Sequence, residues 1–313
     1  MAMDRTKEAG ELTRTVTTQE QLPAQAIGTE GFRQRPKLDT SPLHGLWALT
    51  NRDLRKWYKN RIQLLISLVQ PIVWLGIFGK ALNFGSIISQ AGAGGDASAA
   101  IQKIFGTSSY FSFLSVGMLA MIILFTAAFS GMSVVFDRRF GFLNKALSTP
   151  VSRGAIVISK VLQSGIRSLI QAALVLIIAI ALGMDVSHFT VLGVFGAFVL
   201  LFLMAFALSS LFVTLALRSS DWQTQMAIIN LLSLPLIFAS NALFPVKIMP
   251  GWLQTVVKLN PVSYAIDGAR QLLLGIPTAN ALYSVPVDFG VITLFTVGLA
   301  SISIVMSWKL LQK

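Results

Sequence analysis

The sequence predicts an all-α membrane protein of six transmembrane helices, and three observations carry that expectation. Six continuous apolar runs are each long enough to cross a ~30 Å hydrocarbon core, which needs roughly 20 helical residues. Charged residues make up only 12% of the chain, against about 25% in soluble domains. Lys and Arg gather on one side of the apolar runs, as a bilayer-oriented chain requires. The runs are unbroken rather than alternating, so helices are expected and not a membrane barrel. A mean hydropathy of +0.70 agrees.

Taken in order, residues 1–42 are polar and electrically neutral, with six acids and six bases in the first forty positions. They read as a disordered cytoplasmic tail, too poor in apolar residues to form a core. The whole +12 net charge therefore belongs to the rest, where 19 bases face seven Asp and no Glu. Set between apolar runs, that excess signals topology and lipid-headgroup contact rather than nucleic-acid binding. Residues 43–60 form an amphipathic interfacial helix: Leu43, Leu46, Trp47, Leu54 and Trp57 recur at helical spacing, and Thr50 is the weakly polar member of that stripe.

Residues 61–313 form the six-span domain. The runs are Ile62–Phe84, Tyr110–Phe136, Ile156–Leu182, Thr190–Leu217, Gln225–Phe244 and Phe289–Trp308. With both termini in the cytoplasm, 13 bases fall on inner segments and span ends and five on outer ones. Pro71, Gly76 and Gly79 should kink or loosen the first span. The stretch Gly85–Ser109 reads as a flexible outer loop. Its Gly92, Gly94 and Ala97 match a dinucleotide fingerprint only nominally, since no strand–helix unit surrounds them.

Between spans two and three, residues 136–153 form a basic inner loop with a short amphipathic helix (Phe140, Phe142, Leu143, Leu147), bracketed by Arg138 and Arg139 and stopped before Pro150. The shape suits docking on another protein or anchoring among headgroups. In span three, Lys160, Gln163, Arg167 and Gln171 share one helical face. Lys160 is expected to snorkel to the inner headgroups. Arg167 lies deeper, and either snorkels or lines a substrate path or subunit interface with Gln171. Asn230, Ser233 and Ser240 in span five are expected to hydrogen-bond between helices, Asn230 on the translocation path or a dimer interface. Between spans five and six, Pro250, Pro261 and Gly275 break the chain into two short helices that dip into the outer leaflet. Asp267 and Arg270 are three apart there and can pair.

The absences also inform. No cysteine is present, so disulfides and thiolate metal sites are excluded. No phosphate-cradling G-x-x-x-x-G-K-[ST] pattern occurs, and His44 and His188 build no metal site or catalytic constellation. No carboxylate falls at the centre of a run, which argues against ion-coupled transport.

Three of these segments, in order, resemble the ABC-2-type transporter permeases, especially the daunorubicin-resistance type of drug-exporter permease. They are the 136–153 loop with Thr149-Pro150-Val151-Ser152-Arg153, the outer motif running from Phe244-Pro245 through Met249-Pro250, Asn260-Pro261, Asp267 and Arg270 to Gly275, and the entry to span one (Pro71, Trp74, Phe78, Gly79). The resemblance covers residues 43–313. Asp137-Arg138-Arg139 departs from the family's usual Glu-Arg-Glu and makes the loop more basic. The resemblance implies a cell-membrane exporter of an amphiphile (drug, lipid or lipid-linked glycan), built from two permeases, self or paralogue, and two separate ATPase subunits. ATP and Mg would reside on the ATPase, and no cofactor on this chain. Residues 140–147 would be the coupling helix, with Arg138, Arg139, Phe140, Phe142, Leu143 and Leu147 toward the ATPase. A secondary transporter, or a membrane assembly factor without transport activity, are the alternatives.

Overall fold

The computed structural model describes residues 42–81, 97–107, 109–149, 151–219 and 221–310. The expected tail, most of the glycine-rich stretch before Ala97, and Pro150 lie outside the described residues. Every regular element among the described residues is helical: α1 (Pro42–Lys59), α2 (Arg61–Trp74, continued by a π-helical segment Leu75–Ala81), α3 (Ala97–Phe105), α4 (Tyr110–Arg139), α5 (Phe142–Leu147), α6 (Arg153–Ala181), α7 (Val191–Ala216), α8 (Trp222–Phe238), a 3₁₀ turn (Val246–Ile248), α9 (Gly251–Leu259), α10 (Pro261–Leu274) and α11 (Val285–Leu310).

Helix ends fall where the sequence supplies caps. Ser152, Thr190 and Asp221 each accept a bond from the backbone N–H three residues on, at 3.2, 3.0 and 2.7 Å, and so satisfy an otherwise orphaned donor. Asn260 caps α10 through the Val262 N–H at 3.0 Å, with Pro261 in the first turn. Gly141 joins α4 to α5 at φ +72°, a left-handed conformation that permits the sharp turn between them.

α4 and α7 form the centre of the bundle, and α6, α10 and α11 pack around them. Among the described residues four helices are long and apolar enough on their own to cross a membrane: α4, which with α3 forms one near-continuous run, α6, α7 and α11. α2 is bent by 70° from α1, and its α-helical ladder gives way to a π-helical segment just beyond Pro71. α8 is apolar but only 17 residues long, about 25 Å at the α-helical rise. Small residues set the close approaches. A Cβ on Gly117 would stand 2.1 Å from Ala242 O, and one on Gly131 would stand 2.6 Å from Phe212 O.

Several expectations change. The outer loop is not all loop: α3 lies within it, and Phe105 packs edge-on against Tyr110 and Phe113. α4 and α11 run longer than the second and sixth apolar runs, to Arg139 and from Val285, while α8 ends at Phe238, short of the end of the fifth. α10 is largely enclosed by protein: eleven of its fourteen residues are buried, chiefly against α7 and α11. α9 keeps an open apolar face of Trp252, Val256 and Leu259.

Candidate functional site

Two ends and one lateral groove concentrate the polar chemistry. At the end carrying α5, an ion cluster ties three helices together. Lys160 of α6 is 7% exposed and bonds Asp53 of α1 at 2.5 Å and Asp137 of α4. Arg52 of α1 adds contacts to Asp53 at 2.6 Å and Asp137 at 3.7 Å. Two cations and two carboxylates therefore balance. Lys160 does not snorkel, because both acids stand within its reach inside the protein. Asp53 was the missed signal: it falls three residues after Thr50 and four before Trp57, on the apolar stripe of α1, where an acid needs a buried partner.

The short helix α5 also turns differently from its sequence reading. Leu143 is 7% exposed and sits in a cluster with Val134, Ile156, Val161, Val213 and Leu217; Phe142 and Leu147 pack against the same cluster. The Arg52 guanidinium lies 3.5 Å from the centre of the Phe142 ring. Arg138, expected toward a partner, instead turns inward: it donates to Leu217 O at 2.8 Å and Ser219 O at 3.1 Å, closing the C-terminus of α7. The expected contact face of Arg138, Phe142, Leu143 and Leu147 thus serves this chain's own core. The chain supplies that apolar partner itself, at the ends of α4, α6 and α7. Arg139, Phe140, Asn144, Lys145 and Ser148 face outward; Phe140 is 78% exposed and stacks on Phe136.

At the opposite end, Asp267 and Arg270 do not pair. Arg270 is 2% exposed and donates to Phe113 O, Asn241 O and Ala242 O at 2.6–3.2 Å, with its Cζ 3.4 Å from the Phe113 ring centre. Asp267 accepts from the backbone of Leu282 and Tyr283 at 2.8 and 3.1 Å and from Gln271 at 3.1 Å. Each closes a different loop onto α10, so both are buried for structural reasons. Asn260 donates to Leu236 O and Ala239 O at 2.8 and 2.7 Å, pinning the end of α8. Pro245 leads into the 3₁₀ turn and Pro250 into α9.

The groove runs between α1, α2, α4 and α6. Its lower part, about 250 Å³, is lined by Asp53, Asp137 and Lys160 of the ion cluster and by Lys56, Trp57, Ser130, Ser133, Gln163 and Arg167. Its upper part, about 200 Å³, is lined by Ile66, Pro71, Trp74, Met118, Phe125, Phe129, Arg167 and Gln171. Arg167, Thr126 and Phe129 belong to both parts. Gln171 is fully buried, accepting from Thr126 at 2.6 Å and donating to Ser67 at 2.6 Å, so it bridges α2, α4 and α6. Asn230 is elsewhere, exposed on α8; Ser233 is buried without a partner, and Ser240 bonds Ile237 O locally. Asn230 and Ser233 of α8, and Ser240 just beyond its end, make no interhelical bond among the described residues.

A family model for the ABC-2 type transporter matches residues 44–274. The transport permease ycf38 of Pyropia yezoensis is 32% identical over 226 residues, 72% of each chain. The daunorubicin resistance ABC transporter permease protein DrrB1 of Streptomyces coeruleorubidus is 24% identical over 86% of this chain and 84% of its own. Nodulation protein J of Rhizobium leguminosarum bv. trifolii is 25% identical over 74% and 82%. From helices apolar enough to cross a bilayer and a match spanning most of its length, the chain is an integral membrane protein that belongs to the ABC-2 type transporter family, similar to drug-resistance ABC transporter permeases.

Proposed function

We propose that this chain is the permease subunit of an ATP-driven exporter in the cell membrane. It works as a pair, with itself or a paralogue, and with two separate ATPase subunits that carry the ATP and Mg. In this reading α2, α4, α6, α7, α8 and α11 cross the bilayer with both termini in the cytoplasm. α1 lies along the inner interface, and α9 and α10 form the outer re-entrant pair. The substrate is an amphiphile of the drug, lipid or lipid-linked glycan class.

One observation carries the reading: α5 is held on one face by the ends of α4, α6 and α7 and open on the other. A push on its open face is passed to three spans at once. That is what coupling to a partner's closure requires, and rigid packed elements transmit such a displacement. Exposed Asn230, beside Leu231, Leu234 and Phe238 on α8, supports a second copy, because an amide at bilayer depth needs a protein partner.

The test is co-purification with the ATPase in detergent. Phe140→Ala and Lys145→Glu should leave the permease folded and weaken retention of the ATPase, the charge change more strongly at low salt. Leu143→Asp should instead unfold the inner end of the permease. A folded Phe140→Ala/Lys145→Glu double variant that holds the ATPase as tightly as wild type would overturn the role of α5.

A further inference from the structure

Arg167 occupies the midpoint of the 29-residue α6, about 21 Å along the helix from either end. At that depth an unpaired cation is costly, yet Arg167 makes no hydrogen bond or ion pair among the described residues. Its Nε is buried without an acceptor, and so is the Trp57 indole Nε1. Both side chains line the lower groove, with the Arg167 Cζ 5.4 Å from the Trp57 ring centre. Two orphaned donors in one cavity need a common explanation, since buried N–H groups are nearly always satisfied.

The neighbouring acids do not supply it. Asp53 and Asp137 are engaged by Lys160 and Arg52. Lys56 adds a further exposed cation at the groove's lower rim. Above Arg167 the lining is mostly apolar (Ile66, Trp74, Met118, Phe125 and Phe129), the polar Ser67, Thr126 and Gln171 there being bonded to one another, and Ile66, Gln70 and Phe129 are exposed, so the groove opens sideways. The chamber is therefore basic and donor-rich at one level, mostly apolar above, where its inner polar groups are already paired, and open along its flank.

We propose that this groove binds the anionic headgroup of an inner-leaflet amphiphile, a phosphate-class oxyanion held by Arg167 and the Trp57 N–H with its apolar part rising along Phe125 and Phe129. The orientation follows from the polarity gradient: an inner-leaflet lipid carries its head below and its tails toward the bilayer centre. Charge-assisted bonds from a guanidinium are the strongest available to such an oxyanion. The inference rests on the orientation given in the proposed function and narrows its substrate class.

Native mass spectrometry of the full chain in detergent, titrated with phosphatidylglycerol against phosphatidylcholine, tests it without any ATPase or transport. Wild type should prefer phosphatidylglycerol. Arg167→Gln should lose about tenfold of that preference, the size expected for a charged hydrogen bond. Trp57→Phe should lose several-fold, Arg167→Lys should keep most of it, and Lys309→Gln should change nothing. Thermal melts run alongside, and Trp57→Phe, which keeps the ring, carries the test if Arg167→Gln does not fold. Inorganic phosphate that displaces the lipid and binds as tightly alone would overturn the headgroup as the source of the anion. Undiminished preference in folded Arg167→Gln and Trp57→Phe would overturn the site. A permease that couples to its ATPase but shows no lipid preference sinks only this inference; lipid preference without ATPase association sinks only the proposed function.

Discussion

Replacing Lys160 by Leu removes the cation that two carboxylates share. Its Nζ lies 2.5 Å from Asp53, an attraction of about 7 kcal/mol at an effective dielectric of ~20, most of it offset by the desolvation of the ions. The two acids keep only 11% and 13% of their side-chain surface in solvent. Breaking a buried pair by removing one partner costs about 3–5 kcal/mol, because the other charge stays buried. Arg52 remains, a third exposed and 2.6 Å from Asp53, so the loss should sit at the lower end, about 3 kcal/mol. At about 2–4 °C per kcal/mol for a chain of this order of size, Tm should fall by roughly 6–12 °C. A thermal melt of the purified chain in detergent measures it, with Lys309→Leu as an exposed-lysine control. Adding Asp137→Leu to Lys160→Leu should recover part of the loss, since Arg52 and Asp53 then balance alone. If Lys160→Leu melts within a degree or two of wild type, the cluster does not hold α1, α4 and α6 together and the reasoning fails.

Two further predictions concern the opposite end. Arg270→Met should lower Tm at least as much, because Phe113 O, Asn241 O and Ala242 O lose their donor and buried unsatisfied groups cost about 1–3 kcal/mol each. Arg270→Lys should not rescue it, since one ammonium cannot reproduce the guanidinium fork; a wild-type melt for the Lys variant refutes this. Gly117→Ala should sharply reduce the yield of folded monomer by gel filtration, as its methyl would meet Ala242 O, whereas Gly298→Ala, with nothing within 4 Å, should be silent. Equal yields would show that α4 can shift at no cost.

The chain by itself determined that it is helical and membrane-embedded. An apolar run in hydrocarbon must satisfy every backbone group within its own segment, so run length alone predicts α4, α6, α7 and α11. It also determined many ends, because Ser152, Thr190, Asp221 and Asn260 cap through bonds spanning two or three residues. What covers each face was decided only by the tertiary structure. The amphipathic pattern of 140–147 says that α5 has an apolar side; it does not distinguish an ATPase groove, a lipid surface or the chain's own core, and the core claims Leu143. Lys160 and Arg167 look alike as cations on one helical face, yet one meets Asp53, 107 residues away, and the other meets no acid among the described residues. Arg270 sits three residues from an acid and bonds instead to Phe113 O, 157 residues away. Local periodicity follows from the geometry of a single helix. A partner depends on which helices pack side by side, and that is settled by close approaches such as Gly117 against Ala242.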